Sequence, residues 1–316
     1  MNTIEHIVAL KSKSNFGRQA PPQPVGEIMR LLPETISRTL RMAFEGRSTA
    51  SGTAPAWLNR MSDIRFVDYD GNEDTILKFS CPTVGAAAPE LYGQREFPWS
   101  ERPDENDTGF DLLGDVLADL ATKNTDSQLF DGSLLRTLSR FKNGINGTFQ
   151  EIELSGHRFT KRHPAVIDQT VINTAKAFSS DTPAPEPVRI VGMLDMVRAS
   201  TQAFAIKLDD GQEVRGVMLN GEIGGLSHLL EKRVLVLGRA VFRPSGRLLR
   251  VDTEYVHPAS ADDEFFSRVP RASRRRLDVR QFVREQSNKR GVAAIIGKWP
   301  GDETDEQIEV ALRELS

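Results

Sequence analysis

Three prolines at alternate positions, in Asp181-Thr182-Pro183-Ala184-Pro185-Glu186-Pro187, divide this chain. Proline has no backbone N–H and holds φ near −65°, so three so closely spaced resist both a helix and a paired strand. The segment 181–187 reads as a linker with a folded part on either side. A length of 316 residues fits that reading, since it allows about two domains.

Beyond the linker, residues 188–258 carry apolar runs with the period of strands. Val188 to Ala199 forms a long strand interrupted by Gly192. Phe204, Ile206 and Leu208 alternate with Ala205, Lys207 and Asp209 up to an Asp210-Gly211 turn, and Val214 to Leu219 follows as a third strand. Gly224 to Lys232 reads as a short helix with Leu226, Leu229 and Leu230 inward. Val234 to Phe242 is a fourth strand, and Pro244-Ser245-Gly246 turns the chain into Leu249, Val251 and Tyr255. In this order of three strands, a helix and two strands, residues 187–257 resemble the OB-fold. The resemblance implies a five-stranded, partly open barrel. An SH3-like barrel is the structural alternative, although it has no need of the segment between the third and fourth strands.

OB-like barrels bind single-stranded nucleic acid by stacking bases on aromatic rings in a basic groove. Phe204, Phe242 and Tyr255 could supply the rings, and Lys207, Arg215, Arg239, Arg243, Arg247 and Arg250 the charge. The opposing reading places the rings inside the barrel and leaves the cations solvated, balanced by acids such as Asp195, Asp209, Asp252 and Glu254.

Before the linker, residues 25–180 read as a mixed α+β domain. Ile28, Leu31, Leu32, Ile36, Leu40 and Phe44 recur at helical spacing, with Pro33 forcing a kink or a restart. Ile64, Phe66 and Tyr69, then Ile76, Leu77 and Phe79, flank the Asp70-Gly71-Asn72 turn of a hairpin. Residues 82–109 look like a long surface loop. Asp107 or Thr108 caps a helix from Phe110 to Leu120, Leu129 to Phe141 forms a second, Phe149 to Leu154 a strand, and Val166 to Phe178 another helix. Residues 1–24 are expected to form a flexible arm, because Ala20-Pro21-Pro22-Gln23-Pro24 should be extended. The fold class is therefore α+β, with an N-terminal mixed domain, an OB-like barrel and a helical tail over 259–316.

The tail is strongly patterned. Between Arg268 and Arg290, nine bases (Arg268, Arg271, Arg274, Arg275, Arg276, Arg280, Arg284, Lys289, Arg290) face two acids (Asp278, Glu285). Such a run suits a phosphate or an acidic surface, or else it is a solvated helix face. Val292, Ala293, Ile295, Ile296 and Trp299 form a short apolar patch. Thr304 and Gln307 then make a capping-box pattern for a helix bearing Ile308, Ala311, Leu312 and Leu315 on one side.

Gly297-Lys298-Trp299-Pro300-Gly301-Asp302-Glu303-Thr304-Asp305-Glu306, with the helix to Ser316, resembles the tail of small bacterial antitoxins paired with PIN-domain ribonucleases. The resemblance covers about 291–316. It implies that the tail wraps a toxin, burying Trp299, Ile308, Leu312 and Leu315. Such antitoxins are far shorter and have no barrel. The alternative is a terminal helix packed on its own domain.

Other chemistry is not announced. No phosphate-binding loop, dinucleotide fingerprint or nucleophile elbow is present, and His6, His157, His163, His228 and His257 include no pair at i, i+4. No catalytic residue, metal ligand or cofactor is assigned. The basic run His157 to His163 is read as a cationic loop, and Asp63, Asp68, Asp70 and Asp74 as a solvated turn. One cysteine, Cys81, rules out an internal disulfide, and neither a signal peptide nor a membrane span is read, so the expected location is cytoplasmic.

The expectation is a non-enzymatic regulatory protein that binds a partner protein, such as a PIN-domain toxin, through Trp299, Ile308, Leu312 and Leu315. The alternative is an OB-fold nucleic-acid-binding protein using Arg243, Arg247, Arg274, Arg275, Arg276 and Arg280.

Overall fold

The computed structural model of the chain describes residues 2–93, 102–145, 147–219, 223–260, 263 and 266–272. The chain divides into two compact units, Met1–Ala272 and Ser273–Ser316. The first holds both an α+β part and a closed barrel.

The α+β part is built on a five-stranded antiparallel sheet of order β2-β3-β1-β4-β5, comprising β1 (Thr3–Lys11), β2 (Arg65–Asp70), β3 (Thr75–Pro82), β4 (Glu151–Ser155) and β5 (Ala165–Asp168). The central strand is β1, so the expected flexible arm is overturned. Its alternation of buried His6, Val8 and Leu10 is the signature of a strand with one face in a core, and the flanking lysine is accommodated at the sheet's end. There the Lys11 ammonium pairs with Asp74 at 2.7 Å and Glu153 at 3.4 Å.

The prolines expected to keep residues 20–24 extended instead open helix α1 (Pro22–Glu45). Within the first turn the backbone N–H groups have no intrahelical partner, so a missing donor costs nothing. The helix then runs on through Pro33. Ile28, Leu31, Leu32, Ile36 and Leu40 are fully buried on either side of that proline, and this packing holds the helix across the lost hydrogen bond.

Around α1 lie α2 (Ala56–Met61), α3 (Val84–Ala87), α4 (Pro89–Tyr92), α5 (Gly109–Ala121), α6 (Gly132–Ser139), α7 (Lys142–Ile145) and α8 (Gln169–Asp181). Two expectations change here. The stretch after Pro82 is not all surface loop, since Val84, Ala87, Ala88 and Leu91 join the core. Val166 and Ile167 belong to β5, and α8 starts after Asp168, whose carboxylate accepts from the Val171 N–H at 2.8 Å as an N-cap.

The barrel closes in the order β10-β8-β7-β6-β9, from β6 (Glu186–Arg198), β7 (Ala203–Lys207), β8 (Glu213–Met218), β9 (Arg233–Phe242) and β10 (Leu248–Pro258). All pairings are antiparallel except β8 with β10. A five-stranded barrel of this kind fits an OB-like fold. A short 3-10 segment over Ile223–Leu229 adds Leu226 and Leu229 to the barrel's core, whereas Leu230, expected inward, is exposed. Phe204 packs in the barrel's core and Phe242 is also buried. Phe204 lies across from Gly216, where a Cβ would stand 2.1 Å from the ring, so the glycine makes room for the aromatic.

The two parts are joined by polar contacts around a small apolar seam of Met42, Val241 and Leu249. Arg250 of β10 donates to the Gly46 carbonyl at 3.1 Å and to Asp131 at 3.3 Å, and Arg47 donates to the Met218 carbonyl at 3.2 Å. The Ser245 N–H donates to the Thr125 carbonyl at 3.0 Å.

Candidate functional site

The richest cluster of polar side chains gathers where α5 meets the loop after β4. Thr108 caps α5 and Asp111 answers it three residues on, in a reciprocal capping box. Asp111 and Asp115, four residues apart, share one side of α5, and Asp107 stands just before its N-cap. Three acids together call for a counter-charge, and Arg158 supplies it. Its guanidinium pairs with Asp107 at 3.0 Å and with Asp115, and its backbone N–H donates to Asp111 at 2.9 Å.

Asp111 is the pin of the arrangement. Its Oδ2 accepts from the Thr108 N–H at 2.9 Å, the Thr108 hydroxyl at 2.8 Å and His157 Nδ1 at 3.2 Å. A carboxylate only accepts, so Nδ1 of His157 carries the proton, and in the neutral ring Nε2 holds the lone pair. The Thr108 hydroxyl also meets His6 Nε2 at 2.9 Å. Since that hydroxyl gives its proton to Asp111, His6 is the donor to it. His6 is stacked on Phe110, with 4.5 Å between ring centroids, and Gly156 passes so close over it that a Cβ would sit 2.2 Å from Nδ1.

The environment separates the charge states of these groups. Burial opposes the Asp111 carboxylate but is outweighed by the hydrogen bonds from Arg158 and Thr108, so the group is held below the ordinary carboxylate range. Burial pushes Asp107 up, and the Arg158 guanidinium offsets this only in part. Burial lowers the His6 imidazole to about 4 against the pull of Asp111. Two neighbouring carboxyls pushed in opposite directions are a feature of proton-transfer and metal sites, and also of structural ion-pair networks.

Two cavities adjoin the cluster. One of about 530 Å³ is bounded by Asn2, Ile4, Thr83, Asn106 and His157, and another of about 510 Å³ by Thr39, Met42, Leu112, Leu129 and Arg215; Asp104, Asp107 and Arg158 line both. The arrangement can hold a cation between carboxylates and imidazole, or present His157 Nε2 as a base.

The candidate residues named from sequence fall elsewhere. Trp299, Ile308, Leu312 and Leu315, with Arg274, Arg275, Arg276 and Arg280, lie outside the described residues. Arg243 and Arg247 both reach Asp126 of the α+β part, at 3.3 and 2.5 Å; Arg243 is largely buried and Arg247 exposed. Arg215, half-buried, and Arg250, buried, lie where the two parts meet, beside Gly46. Of the candidate stacking rings only Tyr255 is exposed, at 59%, lying flat against His257. The acids of the hairpin do not converge on a site: Asp63 pairs with Arg65, Asp68 with Lys78, Asp70 with Arg18 and Asp74 with Lys11. Cys81 is buried, and burial pushes its thiol up to about 12, so it stays protonated at neutral pH.

The Asp107 to Arg158 cluster was missed from the sequence. The four-residue spacing of its acids was a visible signal; their meeting with a loop more than forty residues away was not. Among the described residues no helix is long and apolar enough to cross a membrane. No protein-family model matches the chain, and no curated protein or solved structure matches it either.

Proposed function

We propose that the protein is a non-enzymatic regulator that binds and restrains a partner protein through its C-terminal segment, in the manner of an antitoxin acting on a PIN-domain ribonuclease. The observation that carries this reading is how the barrel's arginines are used. Arg243 and Arg250 bond to carboxylates of the α+β part, Phe204 packs in the barrel's core, and Phe242 is buried. An OB-like barrel that bound nucleic acid would present such groups to solvent as a basic, aromatic face. The unabsorbed recognition chemistry is then the arginine run and the amphipathic pattern of residues 273–316, which fall outside the first compact unit. An amphipathic helix with anchors at helical spacing is a common way to fill a groove on a partner.

The test is co-expression with the product of the adjacent gene. The full chain should retain that product through purification, and a chain ending at Gly291 should lose it. Equal retention by both, or by neither, overturns the reading. The nucleic-acid alternative keeps support from Tyr255 and His257, whose exposed stacked rings offer a flat surface. It requires an affinity that falls steeply with salt and drops on Tyr255→Ala.

A further inference from the structure

We propose that Asp107, Asp111 and His157 form a binding site for a divalent transition-metal ion of the zinc or manganese class. One donor atom of each lies within 4.8 Å of the others, and two of the three residues are buried. A tetrahedral zinc with ligands at about 2.0–2.2 Å holds its donors about 3–4 Å apart, so a small closure of this triad is enough. One imidazole nitrogen with carboxylate oxygens is the mixed donor set such ions take.

A second observation points to a missing cation at the same place. Asp107 Oδ1 is buried with no hydrogen bond; Arg158 Nε lies 3.0 Å away but without hydrogen-bond geometry. Buried carboxylate oxygens rarely go without a hydrogen-bond donor. Four acids, Asp104, Asp107, Asp111 and Asp115, gather around Arg158 and His157, with Arg102 and Arg215 further round the second cavity. A divalent ion would displace the guanidinium from Asp107 while leaving it the Asp115 carboxylate. The cavity of about 530 Å³ beside His157 gives the ion a way in and room for a bound water. The assignment does not depend on the proposed partner.

The test is calorimetric titration of the full-length, tag-free, chelator-treated protein with zinc or manganese chloride. One saturable site per chain is expected, weakened at least ~10-fold by Asp107→Asn and by His157→Ala. Arg158→Met, which removes the competing cation and keeps an apolar stem, should bind the metal more tightly than the native chain. No saturable binding up to millimolar metal, unchanged affinity in the first two variants, or no gain in the third overturns the proposal. X-ray absorption of the native zinc complex is independent of how the variants fold. One imidazole with oxygen donors is expected there; two or more imidazoles, or none, overturn the site.

Discussion

Arg250 of the barrel donates to the Asp131 carboxylate at 3.3 Å, and the same carboxylate caps helix α6 by accepting the Ser133 and Leu134 N–H groups at 3.0 and 3.1 Å. Asp131 also binds Ser48 through its N–H and hydroxyl, at 3.0 and 2.5 Å. One buried carboxylate thus ends a helix, fixes the chain after α1 and holds the barrel. Burial opposes its charge but is outweighed by Arg250 and these donors, so it is held below the ordinary carboxylate range.

Asp131→Asn removes the charge while keeping the shape, and leaves Arg250 paired with Asp252 at 2.6 Å. Breaking a buried pair costs about 3–5 kcal/mol, and the Asp252 pair keeps the loss near the lower end. The urea midpoint should fall accordingly. Adding Arg250→Met should cost less than the sum of the two single changes, because the stranded charge is gone. By contrast, Arg247→Ala at the exposed end of the Asp126 pair should change stability by less than about 1 kcal/mol.

Acidification should weaken the fold in two separate steps. The folded-state His6 pKa, about 4, lies below the unfolded value of about 6.5, so the unfolded chain takes the proton first. The stability tied to neutral His6 is full above that unfolded value and is lost as pH falls from it toward 4. About 2 kcal/mol should disappear between pH 7 and pH 5. Asp131, with its lowered pKa, contributes stability that is lost only as pH falls through and below the ordinary carboxylate range. Urea midpoints at pH 7, 5 and 3.5 separate the steps. His6→Gln, which can still bond to Thr108, should at least halve the loss in the upper window.

Gly46 ends α1 with φ at +74°, and a Cβ there would lie 1.9 Å from the Arg215 guanidinium carbon. An L-residue pays about 1–2 kcal/mol for that backbone conformation before any clash. Gly46→Ala should therefore destabilise by more than about 2 kcal/mol in thermal or urea unfolding, because the half-buried Arg215 side chain must also move. The same change at Gly52, which also has a positive φ but open space around it, should cost only the backbone strain.

The aromatic residues of the barrel should separate by role. Phe204→Ala empties the barrel's interior and should cost about 3–5 kcal/mol. Tyr255→Ala should leave stability within about 0.5 kcal/mol. Parallel unfolding curves for the two variants check this.

Where burial followed local periodicity, the sequence was readable. The alternation of Phe204, Ile206 and Leu208 with Ala205, Lys207 and Asp209, and the turn at Asp210-Gly211, led to the strands of the barrel within a residue or two. The cap at Thr108 was legible for the same reason, since its partner Asp111 is three residues away. The prolines of residues 20–24 suggest an extended arm when taken as breakers, whereas position within a helix decides their effect: Pro22 lies in the first turn of α1. The strand at Thr3–Lys11 looked loose because its partners, β3 and β4, come from far along the chain.

By itself the sequence determined most of the local elements and the cap that starts α5, because each depends on residues within about one turn or one hairpin of each other; it did not place the start of the barrel, since β6 pairs from Glu186 and Pro187 inside the expected linker 181–187 and α8 runs to Asp181. Only the tertiary structure decided what the charges are for. Arg243, Arg247 and Arg250 look alike as cations in a β segment, but Asp126 and Asp131, more than a hundred residues earlier, turn them into the join between two folded parts. His157 and Arg158 read as a basic loop until Asp107 and Asp111 come to meet them. Electrostatic pairing acts through space, and the sequence separation of the partners says nothing about that distance until the chain has folded.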